Sequence, residues 1–147
     1  MVHEAALGGH RPTEILVVNP AEQDREHVRL LFPNPDWRVH FVQSVCGAGQ
    51  LLNQRPIDVI LCDHDLPDGT WVDILDPAAS AHFRPRVIVT SQLADERMWT
   101  EVLSLGGHDV LLSPFDPGEV RRVVEMALRR RAPLGGILIA ETAGSIA

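Results

Sequence analysis

Apolar residues come in short continuous runs along this chain, separated by stretches with helical spacing. The central run is 57–62, where Ile57, Val59, Ile60, Leu61 and Cys62 are broken only by Asp58. Such a run reads as a strand buried on both faces, the kind found inside a parallel sheet. It stops at Asp63, and Pro67 and Gly69 then force a turn. Comparable runs at 14–18, 86–90 and 109–112 predict three more buried strands. Residues 37–42 alternate in the manner of a half-buried strand nearer an edge.

Helical segments fill the gaps. Residues 21–31 carry Val28, Leu30 and Leu31 and stop at Pro33 and Pro35. Residues 47–54 form a second short helix, and 71–75 give a turn or two before Pro77; no structure is assigned to 78–85. Asp95 caps a helix that runs to Leu105, with Met98, Val102 and Leu105 on one side, and Gly106-Gly107 ends it. Asp116 reads as an N-cap with Pro117 in the first helical position. The last helix, to about Arg131, places Val120, Val123, Val124, Ala127 and Leu128 in a stripe that predicts core contact.

Five strands alternating with five helical segments predict an α/β fold, a doubly wound five-stranded parallel sheet with helices on both faces. In such sheets the carboxyl ends of the strands converge on one crevice. Here that crevice would gather Asn19-Pro20, Asp63, Thr90-Ser91 and Ser113-Pro114. The pattern divides the chain into a loose leader (1–13), a folded domain (14–131) and a tail (132–147). The tail holds Gly135-Gly136-Ile137-Leu138-Ile139-Ala140 and fits an added strand, an oligomer contact or a linker equally well.

Composition narrows the function. A net charge of −7 over 147 residues offers no dense positive field for nucleic-acid phosphates. The one basic run, Arg129-Arg130-Arg131, closes a helix, where cations favour the dipole. Cys46 and Cys62 have no metal-like spacing, and the seven histidines are scattered singly, so a zinc site is not expected. Reduced cysteines, no secretory signal and no run near the ~20 apolar residues of a membrane helix suit a cytoplasmic protein.

The segment Asp63-His64-Asp65-Leu66-Pro67-Asp68-Gly69 resembles the phosphoacceptor aspartate and following loop of response-regulator receiver domains of two-component systems. The resemblance spans 14–131 and implies the CheY-like, flavodoxin-like form of the predicted sheet. It implies Asp63 as phosphoacceptor and Thr90 as the residue that contacts the phosphoryl group. Ser113-Pro114-Phe115 stands where the family has Lys-Pro-Phe, and Arg25 where many members carry arginine. The implied partners are a histidine kinase or a downstream signalling protein, with a homodimer also open.

The departures lie at the chemistry. Receivers follow their first strand with two adjacent acids that hold Mg²⁺; this chain has Asn19 and Pro20. Asn offers one neutral oxygen and Pro no side-chain ligand, whereas Mg²⁺ favours one or two carboxylates in an octahedral oxygen set. Asp63, with Asp65 through its carbonyl, would be the remaining metal candidates. The family's lysine is replaced by Ser113, and its aromatic switch position is Val110. Loss of metal assistance alone slows phosphoryl transfer on the order of 10³-fold. The expectation is therefore a non-enzymatic, atypical receiver with weak or no Mg²⁺-dependent phosphorylation at Asp63, acting through protein contacts.

Two readings compete. A conventional regulator would still accept phosphate at Asp63 from a histidine kinase. A phosphatase of the haloacid-dehalogenase type would use Asp63 and Asp65 as nucleophile and acid-base, but Pro67 occupies a position that motif needs as Thr or Val, and no lysine lies near the crevice. The bland alternatives are Asn19 as a turn residue, Asp65 and Asp68 as turn residues, and His64 as a solvated loop histidine.

Overall fold

Asp63 ends the middle strand of a five-stranded sheet. The computed structural model describes residues 11–21, 29–30, 32, 35–92, 95–112 and 116–130. The strands of the main sheet are β1 (Thr13–Val18), β2 (Trp37–Val42), β3 (Val59–Asp63), β6 (Arg86–Ser91) and β7 (Asp109–Leu112). Two further strands, β4 (Asp65–Leu66) and β5 (Gly69–Thr70), form a small antiparallel hairpin directly after β3. All pairings in the main sheet are parallel, in the order β2-β1-β3-β6-β7. The predicted α/β, flavodoxin-like architecture is therefore the one observed. The chain leaves β1 for the edge strand β2 and returns to β3, so the ends of β1 and β3 flank the point where strand order reverses.

Alternation along each buried strand supplies two cores. Leu16, Val18, Ile60, Cys62, Val87, Val89 and Val110 face one side. There they meet α1 (Val45–Gln54), α2 (Val72–Ser80) and α3 (Glu96–Leu105) through Ala48, Leu52, Ile74, Ala78 and Val102. Ile15, Val17, Val59, Leu61, Ile88 and Leu111 face the other side, against Val120, Val123, Val124 and Ala127 of α4 (Pro117–Arg130). Three successive crossovers on one face, moving in one direction across the sheet, are what right-handed connections require. The apolar stripe of α4 is core contact, as its spacing predicts.

Local signals explain most helix ends. Ser44 Oγ accepts from Gly47 N at 3.0 Å to start α1, and Asp95 Oδ1 accepts from Met98 N at 2.9 Å to start α3. Asp116 Oδ2 accepts from Glu119 N at 3.0 Å, so it caps α4 with Pro117 in the first turn. Gly106 closes α3 in the left-handed region at φ 110°, which glycine adopts without a Cβ penalty.

Two expectations need correction. Pro77 does not end the fourth helical segment; α2 continues through it to Ser80. The missing Pro77 N–H would have bonded the carbonyl of Asp73, which lies in the exposed first turn, and burial of Ile74 and Ala78 on either side carries the helix across. Leu105 does not join Met98 and Val102 against the sheet. It is 49% exposed and joins neither core, standing in the last turn before the left-handed cap at Gly106. Most of the segment 21–31 (22–28 and 31) and the tail 132–147 lie outside the described residues, as does all of the leader except 11–13.

Candidate functional site

The site is built around the register of two strands. Asp63, the last residue of β3, pairs with Thr90 of β6. Thr90 is buried, and its Oγ1 donates to Asp63 Oδ1 at 3.0 Å. A hydroxyl on the neighbouring strand thus holds one carboxylate oxygen, while Asp63 itself stays half-buried at the rim.

The loop after Asp63 is tied down at several points. His64 N donates to Thr90 O at 3.0 Å, and Trp71 N returns to His64 O at 3.1 Å. Asp65 pairs with Thr70 and Leu66 with Gly69 across the hairpin. The Asp65 carboxylate is exposed and lies 3.2 Å from His64 Nδ1. Asp68 reaches the start of α1, where its two oxygens accept from Val45 N at 2.8 Å and Cys46 N at 3.0 Å. Two otherwise orphaned helix N–H groups are satisfied, and the loop is anchored to a neighbouring helix.

Those two backbone donors hold the Asp68 carboxyl below its ordinary 3.8. A depressed carboxylate stabilises above its ordinary value, and the contribution is lost as pH falls through the folded-state value. Asp68→Ala is accordingly expected to lower the melting temperature at neutral pH and to converge on the parent protein in acid. Thermal melts across that pH range check it, and a deficit independent of pH contradicts it. Sequence reading places Asp68 in the turn but misses this cap, because its partners lie 22 and 23 residues upstream.

The end of β1 offers different chemistry. Asn19 N donates to Val42 O at 3.0 Å, and Asn19 Oδ1 accepts from Ala21 N at 2.8 Å, an Asx turn. Pro20 is exposed. Asn19 is thus a turn residue whose side-chain oxygen is already engaged. Val110 packs in the core beside Val89. Ser113, Pro114, Phe115 and Arg25 lie outside the described residues, but the chain contains no lysine at all, so none can supply a fixed ammonium here. Among the described residues no three His, Cys, Asp or Glu side chains converge where a metal ion would sit. Burial, reinforced by the charge of Asp63, pushes the Cys62 thiol up, so it is an inert core group.

A second polar cluster lies at the opposite end of the sheet. The buried Glu14 carboxylate accepts from Arg55 Nε and Nη2, both at 3.1 Å, and lies 2.7 Å from His40 Nε2. Buried Asp58 accepts from Glu14 N at 2.9 Å and from Arg11 Nη2 at 2.6 Å, and Arg11 stacks over Phe83. The hydrogen bonds of this cluster join residues 26 to 47 apart, and no local pattern announces them.

A parallel sheet of this order, with a hydroxyl-bonded aspartate at its switch point, defines a receiver-type α/β domain. Residues 15–125 match the response regulator receiver domain model, and the chain belongs to that family. It is 28% identical to the response regulator protein PilR of Pseudomonas aeruginosa over 80% of this chain, spanning 26% of PilR. It is 28% identical to the two-component response regulator ORR11 of Oryza sativa subsp. indica, covering 86% of this chain and 88% of ORR11. Among solved structures, the receiver domain of a Luxo repressor protein of Vibrio parahaemolyticus superposes with TM-score 0.74 at 20% identity, covering 83% of this chain and 93% of that one. The receiver domain of sensor histidine kinase PA1611 of Pseudomonas aeruginosa PAO1, solved with magnesium in its active-site cleft, gives 0.69 at 21% identity, covering 80% and 98%. These neighbours share the CheY-like fold.

Proposed function

We propose that this chain is an atypical receiver that relays a signal through protein contacts, with weak or no Mg²⁺-dependent phosphorylation at Asp63. The observation that carries this reading is the end of β1, where Asn19 Oδ1 is engaged by Ala21 N and Pro20 follows. One carboxylate at the switch point, with a neutral and already bonded oxygen beside it, does not fit the oxygen set Mg²⁺ needs. The absence of lysine supports the same reading, since the charge that would balance a phosphoryl group on Asp63 is gone. In this reading Thr90 positions Asp63, the module is not an enzyme, and it works in the cytoplasm on a histidine kinase or another signalling protein. The folded unit is 14–131.

The Thr90–Asp63 hydrogen bond favours a second reading, a conventional phosphoacceptor regulator. Intact mass after incubation with a small-molecule phosphodonor and Mg²⁺ separates the two, with Asp63→Asn as control. The expected result is no phosphoryl adduct on folded protein. An adduct on the parent chain that vanishes in Asp63→Asn establishes the conventional reading instead.

A further inference from the structure

A cleft of about 390 Å³ opens between α2 and α3 at the amino-terminal end of β6, the end of the sheet away from Asp63. Leu75 and Ala78 of α2, Val87 of β6 and Leu103 of α3 form its apolar wall, and Arg84 and Arg86 stand at its rim. The volume is within the range of small-molecule sites, which combine apolar walls with a few placed polar groups.

Arg84 is held in an unfavourable backbone conformation. It has φ 45°, the one positive value at a non-glycine residue among those described, and it directly precedes Pro85. A proline pushes the residue before it towards extended backbone, and a long side chain is disfavoured in the left-handed region. Glycine would sit there comfortably, yet the chain carries arginine. The Arg84 guanidinium makes no hydrogen bond or ion pair with the described residues, so no contact among them accounts for the choice. Strain kept at one residue on the rim of a cleft points to a binding role.

We propose that this cleft binds a small amphipathic monocarboxylate, with its alkyl body on Leu75 and Leu103 and its carboxylate on Arg84. The planar guanidinium fork matches the two oxygens of a carboxylate. A doubly charged phosphate fits less well than a singly charged carboxylate, because Gly106 at the carboxyl end of α3 also lines the cleft and opposes each added negative charge. Helix carboxyl ends carry partial negative charge, whereas phosphate sites use helix amino ends. Arg86 has contacts of its own and adds positive potential.

Octanoate titrated into the full chain, followed by amide NMR shifts, tests the proposal against 1-octanol and octyl phosphate. Saturable shifts at Ala78, Val87, Leu103 and Gly106 are expected, with 1-octanol about tenfold weaker and octyl phosphate no tighter. Arg84→Gly is the deciding variant. Relief of the left-handed strain raises its melting temperature, while octanoate affinity falls about tenfold. Shifts that do not saturate, octanol binding equal to octanoate, or unchanged affinity in Arg84→Gly would overturn the proposal.

Discussion

Replacing Trp71 with alanine is expected to lower the unfolding free energy by about 4 kcal/mol, in the range of aromatic-to-alanine changes in cores. Trp71 is fully buried and is the largest of the fully buried side chains. Its ring lies so close to the α3–β7 turn that a Cβ on Gly107 would stand 3.2 Å from Trp71 Cζ3. Removing the indole leaves a cavity between α2, α3 and the sheet that rigid neighbours cannot fill. Trp71→Phe should cost far less, about 1 kcal/mol. The indole Nε1 has no hydrogen-bond partner among the described residues, so deleting that buried donor offsets part of the lost packing. Urea unfolding followed by circular dichroism measures both. Equal costs for the two variants would remove ring packing as the source of the loss.

Glu14→Ala is the second large effect, a loss of about 2 kcal/mol, because it removes a buried carboxylate hydrogen-bonded to Arg55 and His40, partners exposed enough to regain water. Burial pushes the Glu14 carboxyl up, but hydrogen bonds and charge from Arg55 and His40 outweigh it and hold the group below its ordinary 4.5. The sign follows from that depression. Its contribution is complete above the ordinary value and disappears as pH falls through the folded-state value. Glu14→Gln, which keeps the shape, should therefore flatten the acid limb of the stability profile while costing less than alanine at neutral pH. Denaturant midpoints measured from neutral to acid pH give the comparison, and an unchanged acid limb would remove Glu14 as its source.

The two predictions mark where local pattern stops being informative. Glu14 reads from the sequence as the polar start of a strand, and nothing nearby indicates that Arg55 and His40 will close over it. Asp68 reads as a turn residue, and its second role depends on α1 arriving from a different part of the chain. Pro77 misleads in the opposite direction. The breaker rule is local and correct in cost, but burial of Ile74 and Ala78 outweighs it once α2 packs on α1 and the sheet. The long range of these effects is why they escape a window of ten residues.

The sequence by itself determined the buried strands, their alternation with helices and the loop that begins at Asp63. Each rests on short-range regularities: runs of apolar residues, capping side chains, and proline or glycine at turns. It also determined the missing acids and the missing lysine, which are matters of residue identity alone. Only the tertiary structure decided that Thr90 bonds Asp63, that Asn19 spends its oxygen on Ala21, and that Arg84 is strained at the rim of a cleft. Those depend on register between strands and on backbone angles, and both are settled when distant segments pack against one another.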